Sequence, residues 1–95
     1  MYPTYSDRDI VIVSKQLFQF NVGSVYVYKR PKQGGNNAEH LVVKRLAMQR
    51  EVQGNKYFYF LGDNRNFSID SRNYGYIAER DVVGKVIFHF KRSKN

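Results

Sequence analysis

The apolar residues of this chain fall into five short runs rich in valine, isoleucine, tyrosine and phenylalanine, and no segment holds a 3.6-residue period over three turns. That pattern points to sheets. The runs cover residues 9–14, 24–29, 40–48, 56–61 and 82–91. β-branched and aromatic side chains suit a pleated, half-buried surface. In the second run, alternation sets Val25 and Val27 on one face and Tyr26 and Tyr28 on the other. The third run follows a PKQGGNN loop at 31–37, and a polar stretch at 62–76 follows the fourth. Gly84 interrupts the last run, which predicts a bend or bulge there. Helix is expected only as one turn at 78–81, and the polar end, 92–95, is expected to fray. The expected fold is mostly β, with residues 1–95 forming a single domain of antiparallel sheets and little helix.

With 95 residues and no cysteine, such a domain must be held by its hydrophobic core alone. An apolar content of 42% is enough for that core and too high for a disordered chain. His40 and His89 have neither a cysteine nor a second histidine at ligand spacing, so no metal is expected. Gly62-Asp63-Asn64 has neither the length nor the lysine of a phosphate loop, and no cofactor is expected. The net charge of +8 favours an anionic partner or serves solubility alone. No apolar run reaches the roughly 20 residues of a membrane span.

Two places could carry chemistry. In an extended third run, Lys44 shares its face with Val42 and Leu46. Burial there would lower its pKa and make it a base, and the alternative is a sheet-edge lysine with its ammonium in water. The block at 62–72, GDNRNFSIDSR, is dense in polar groups. If extended, it alternates Ser68, Asp70 and Arg72 onto one face, where a carboxylate and a guanidinium can pair. The alternative is a solvated turn.

Several blocks together resemble the type I signal peptidase family. Met1-Tyr2-Pro3-Thr4 is similar to the segment that follows the family's nucleophilic serine. Asp9-Ile10-Val11-Ile12-Val13 is similar to its next strand, and Val43-Lys44-Arg45 to the block that holds its lysine base. GDNRNFSIDSR matches its most distinctive motif without a gap, and Tyr74-Gly75 and Val83-Gly84-Lys85-Val86 continue the match. The resemblance implies two antiparallel sheets around a shallow groove for an extended peptide. It implies Lys44 as general base, Ser68 orienting its amine, and Asp70, Arg72, Asp63 and Asn64 supporting the site. Met1, Pro3 and Thr4 would line the groove beside the nucleophile. The nucleophilic serine itself would stand immediately before Met1, beyond an upstream membrane anchor.

Where the family carries a Gly-x-Pro-Gly-Asp turn, this chain reads Arg45-Leu46-Ala47-Met48-Gln49-Arg50-Glu51. From there to Gly62 it is short, as in a minimal, Gram-positive-like form. The implied function is cleavage of signal peptides from exported preproteins by a Ser/Lys dyad, at the extracytoplasmic face of the bacterial cell membrane. One alternative is a non-catalytic relative that binds exported or pilin-like subunits and assists their assembly. Another is a small basic β-barrel that binds nucleic acid, which the ordered motif blocks disfavour. Tyr2, Tyr5, Leu17, Phe18 and Phe20 form either a membrane-facing edge or ordinary core packing.

Overall fold

The structure, a computed structural model, describes residues 10–15, 18–31 and 40–90. Met1, Tyr2, Pro3, Thr4, Tyr5 and Leu17, the loop at 32–39 and the end at 91–95 lie outside the described residues. Six strands form one antiparallel sheet among these residues: β1 (Ile10–Ser14), β2 (Val25–Arg30), β3 (His40–Val52), β4 (Asn55–Leu61), β5 (Ile77–Ala78) and β6 (Val82–Phe90). Their order across the sheet is β1-β6-β2-β3-β4-β5. The mostly β, antiparallel expectation holds. The two sheets implied by the resemblance are instead one, because β3 is long enough to serve both halves. It pairs with β2 over residues 40–45 and with β4 over residues 45–52.

Bulges let this sheet bend. The β3–β4 ladder skips Ala47, passing from Leu46↔Phe60 to Met48↔Tyr59. The β2–β6 ladder skips Val83, next to Gly84, where the sequence predicts an irregularity. β3 runs past Met48, its expected end, to a two-residue turn at Gln53 and Gly54. Both have positive φ, 52° and 80°. That is the twist a tight hairpin requires, and glycine supplies it at little steric cost.

The core lies on one face of the sheet. Tyr26, Tyr28, Leu46, Phe58, Phe60 and Ile77 are buried together, with Phe18, Phe20, Val42, Tyr74 and Val82 packed against them. Phe20 stacks on Phe58 at 3.9 Å and Tyr28 on Phe60 at 4.4 Å between ring centroids. Phe18 and Phe20 are therefore core residues and not a membrane-facing edge. Buried tyrosines also need polar partners. The Tyr26 hydroxyl donates to the Gln19 carbonyl and accepts from the Asn21 N–H, and the Tyr28 and Tyr74 hydroxyls bond each other. The valine face of β2 is covered as well, with Val25 and Val27 both buried.

Phe60 touches three other buried rings, so its loss leaves a cavity. Phe60→Ala should cost about 3–5 kcal/mol in urea unfolding. Met48→Ala, at a half-exposed position on β3, should stay within about 0.5 kcal/mol of wild type.

Candidate active site

Lys44 sits in the middle of β3, opposite Tyr26 of β2. Strand alternation puts it on the core face between Val42 and Leu46, both of which pack into the core. Its stem is thus held among apolar groups, and its Nζ donates to Ser68 Oγ at 3.1 Å. Burial lowers the Lys44 pKa below the ordinary lysine value. The Asp70 carboxylate pulls it back up, and the Arg30 and Arg72 cations push it down.

The motif block does not reach this arrangement by simple extension. After β4 it makes a 3-10 turn at Arg65–Phe67, then an extended step through Ser68 to Asp70, then a four-residue helix α1 (Ser71–Tyr74). Asp70 caps α1: its carboxylate accepts from the Arg72 N–H, while its own N–H donates to Asn73 Oδ1. The expected same-face alternation of Ser68, Asp70 and Arg72 fails, since Arg72 is helical. It meets Asp70 by folding back over the cap, with Nε to Oδ1 at 2.9 Å and Nη2 to Oδ2 at 3.1 Å. Arg72 Nη2 also donates to the Arg65 carbonyl, which ties the 3-10 turn to the helix.

Asp70 is fully buried. Burial alone would raise its pKa. The Arg72 guanidinium, the N–H groups of Gly62 and Arg72, and the Ser68 hydroxyl outweigh that and hold it well below the usual carboxylate range. Ser68 donates its hydroxyl proton to Asp70 Oδ2 at 2.9 Å. Its oxygen is then left to accept from Lys44. A relay of fixed polarity results, from lysine N–H to serine oxygen and from serine O–H to carboxylate.

Three contributors were not singled out as site residues in the sequence. Gly62 donates its N–H to Asp70 Oδ2. A Cβ there would lie 2.0 Å from Ser68 Oγ and 3.4 Å from Lys44 Nζ, so only glycine admits the Lys44–Ser68 contact. Ser71 Oγ accepts the Phe60 N–H and fastens α1 to β4, and Asn73 completes the cap. Gly62 and Ser71 both stand in the motif block, and Asn73 lies just beyond it.

Asp63 is engaged by Arg45. Its carboxylate takes a two-pronged bond from Arg45 Nε and Nη2, both at 2.8 Å, while Arg45 Nη1 donates to the Gly23 carbonyl. This clamp holds β3 to the start of the motif block. Asn64 gives its carbonyl to the Phe67 N–H and makes no side-chain cap bond. His40 opens β3 and is exposed, and His89 lies in β6. Among the described residues no three His, Cys, Asp or Glu side chains converge on a metal position, and no helix is long and apolar enough to cross a membrane.

Removing the Asp70 carboxylate strands the Arg72 guanidinium, the Ser68 hydroxyl and the Gly62 N–H. Asp70→Ala should therefore cost about 1–3 kcal/mol at neutral pH, mainly through the buried donors left unpaired. The folded-state pKa lies below the unfolded value of about 3.9, so protons bind preferentially to the unfolded chain as acid is added. The stability gap between wild type and Asp70→Ala should be full above about pH 4 and narrow below it. Urea unfolding across that range measures it, and a gap independent of pH would contradict the assignment.

Comparison with known proteins gives the same direction. The model of the family "Signal peptidase, peptidase S26" matches residues 43–91, from the strand that carries Lys44 through β6. Signal peptidase I of Buchnera aphidicola subsp. Baizongia pistaciae (strain Bp) is 51% identical over 37 residues, which is 39% of this chain. The chain spans 12% of that relative's length. No solved structure matches. The family match extends over more than half of the 95 residues, and the chain belongs to the signal peptidase, peptidase S26 family.

Proposed function

We propose that this chain is the lysine-bearing part of a Ser/Lys endopeptidase that removes signal peptides from exported preproteins. The observation that carries this reading is the bonded relay from Lys44 through Ser68 and Asp70 to Arg72. A serine hydroxyl is a poor nucleophile until a base takes its proton. A lysine with a lowered pKa can be that base without a histidine. The nucleophile is the serine that the family pattern sets immediately before Met1, beside Pro3 and Thr4.

The steps follow from the relay. The Lys44 amine, neutral when the serine enters, takes the serine proton as the oxygen bonds to the scissile carbonyl carbon. The resulting ammonium returns a proton to the departing amine as the peptide C–N bond breaks. The same amine then takes a proton from the water that attacks the ester, and gives it to the serine oxygen as the ester C–O bond breaks. Ser68 contributes orientation. It accepts one amine N–H, which leaves the nitrogen lone pair to point elsewhere, toward the nucleophile.

An extended substrate also has a place to bind. β3 is paired to β2 over residues 40–45, but β4 pairs with it only from Arg45 onward. Among the described residues, the other edge of β3 at 40–44 has no strand partner. A peptide added there lies alongside Lys44 and is held by main-chain hydrogen bonds. The resemblance supports exported preproteins with small residues one and three positions before the cut as the substrate class, with pilin-like exported proteins a narrower version. It supports a location at the extracytoplasmic face of the bacterial cell membrane, with an anchor ahead of the catalytic part as the proposed means of reaching it.

The test is Lys44→Met in the full-length protein. Cleavage of a signal-peptide substrate should fall by about 10²–10⁴-fold in kcat/KM. Stability at neutral pH should equal or exceed wild type, because an apolar side chain replaces a desolvated ammonium. The lysine pKa is lowered on folding, so the wild type gains stability as pH rises toward the unfolded value of about 10.4, and the variant's advantage should vanish there. Undiminished cleavage by Lys44→Met would overturn the reading. Tight binding of preproteins by wild type without cleavage would favour the non-catalytic alternative.

A further inference from the structure

Arg30 ends β2 on the same face of the sheet as the site. The β2–β3 ladder is regular from Val25↔Arg45 to Arg30↔His40, with Tyr26 opposite Lys44 and Tyr28 opposite Val42. Arg30 is therefore in phase with the buried Tyr26 and Tyr28, on the face that carries Val42 and Lys44. Its exposure agrees, since Lys29 is exposed and Arg30 is half-buried. Tyr74 of α1 meets the Tyr28 hydroxyl and brings the helix over this end of the face. The Arg30 charge acts on Lys44, Tyr28 and Tyr74 alike.

Among the described residues no carboxylate pairs with this guanidinium. The carboxylate of the site, Asp70, is engaged by Gly62, Ser68 and Arg72. Few polar groups face Lys44. β2 presents Tyr26, Tyr28 and Arg30, and the motif block with α1 presents Ser68, Asp70, Arg72 and Tyr74. β4 packs Phe58 and Phe60 here, which carry no charge, and His40 is exposed at the start of β3. Asp70 favours the Lys44 ammonium, while Arg30 and Arg72 oppose it. Arg72 is bonded to Asp70, which offsets its charge. Arg30 acts on the amine without a bonded counter-charge.

We propose that Arg30 is a positioning residue for the reaction: its guanidinium, set on the face of Lys44, keeps that amine neutral and able to take a proton despite the buried Asp70 charge. This role rests on the reading of Lys44 as the base.

The test compares wild type with Arg30→Gln, Arg30→Lys and Lys29→Gln. In the intact chain, the Lys44 titration midpoint followed by NMR should move up in Arg30→Gln, because an ammonium forms more easily without a neighbouring cation. It should return toward wild type in Arg30→Lys. It should not move in Lys29→Gln, where the lost charge lies on the opposite face. In the full-length protein, the acidic limb of kcat/KM against pH should move up in Arg30→Gln. Cleavage at neutral pH should fall roughly two- to tenfold, and the loss should close at high pH. Circular dichroism should stay unchanged in all three variants. Three results would overturn the proposal: an unmoved midpoint in Arg30→Gln, an equal move in Lys29→Gln, or a rise in KM with no displacement of the pH profile. The NMR midpoints involve no cleavage, so failure of the Arg30 role is distinguishable from failure of Lys44 as base, which Lys44→Met reports.

Discussion

A single buried carboxylate organises the site. Asp70 has no solvent contact, and a lone charge in that position would be expensive. It is tolerated because donors converge on it from separate pieces of chain: the Gly62 N–H at the end of β4, the Ser68 hydroxyl, and the Arg72 backbone and guanidinium. Each donor is thereby fixed relative to the others. Removing the carboxylate frees the loop, the helix cap and the serine together. Lys44 enters from a different strand, and its contact with Ser68 has meaning only while Asp70 holds that serine in place.

The sheet supplies the other half. Lys44 is brought to Ser68 because β3 passes from β2 to β4 at Arg45, so the motif block at the end of β4 lies beside the middle of β3. The Arg45–Asp63 clamp locks this crossing one residue beyond the lysine. Farther out, the aromatic stack of Tyr28 on Phe60 and the Ser71 bond to the Phe60 N–H tie α1 to the core. Core packing and site geometry are thus the same structure seen from two sides. Among the described residues no buried side-chain nitrogen or oxygen lacks a partner, so the polarity of the site is fully satisfied around Asp70.

Much of this was legible in the residues. Period-two alternation placed Lys44 on the face of Val42 and Leu46, and that face is the core face. The β-branched and aromatic runs marked five of the strands. Other features left little signal. Residues 49–51 are exposed on both faces, so the outer half of β3 lacks alternation and its extension came from the hairpin turn instead. β5 is two residues long and is defined by its pairing to Tyr57 and Phe58. α1 is a single turn made stable by its cap, which no periodicity can announce. Phe18 and Phe20 read equally well as a surface edge or as core, and only the ring contacts with Tyr26 and Phe58 decide between them.

Burial lowers the Lys44 pKa while its amine is held by a hydrogen bond to Ser68. The most direct measurement is a pH titration of the Lys44 side chain in the intact chain, followed by NMR through its Cε and Nζ resonances. The account predicts a midpoint below the ordinary lysine value of about 10.4. A midpoint at or above that value would mean that the Asp70 charge prevails over burial, and would contradict the account.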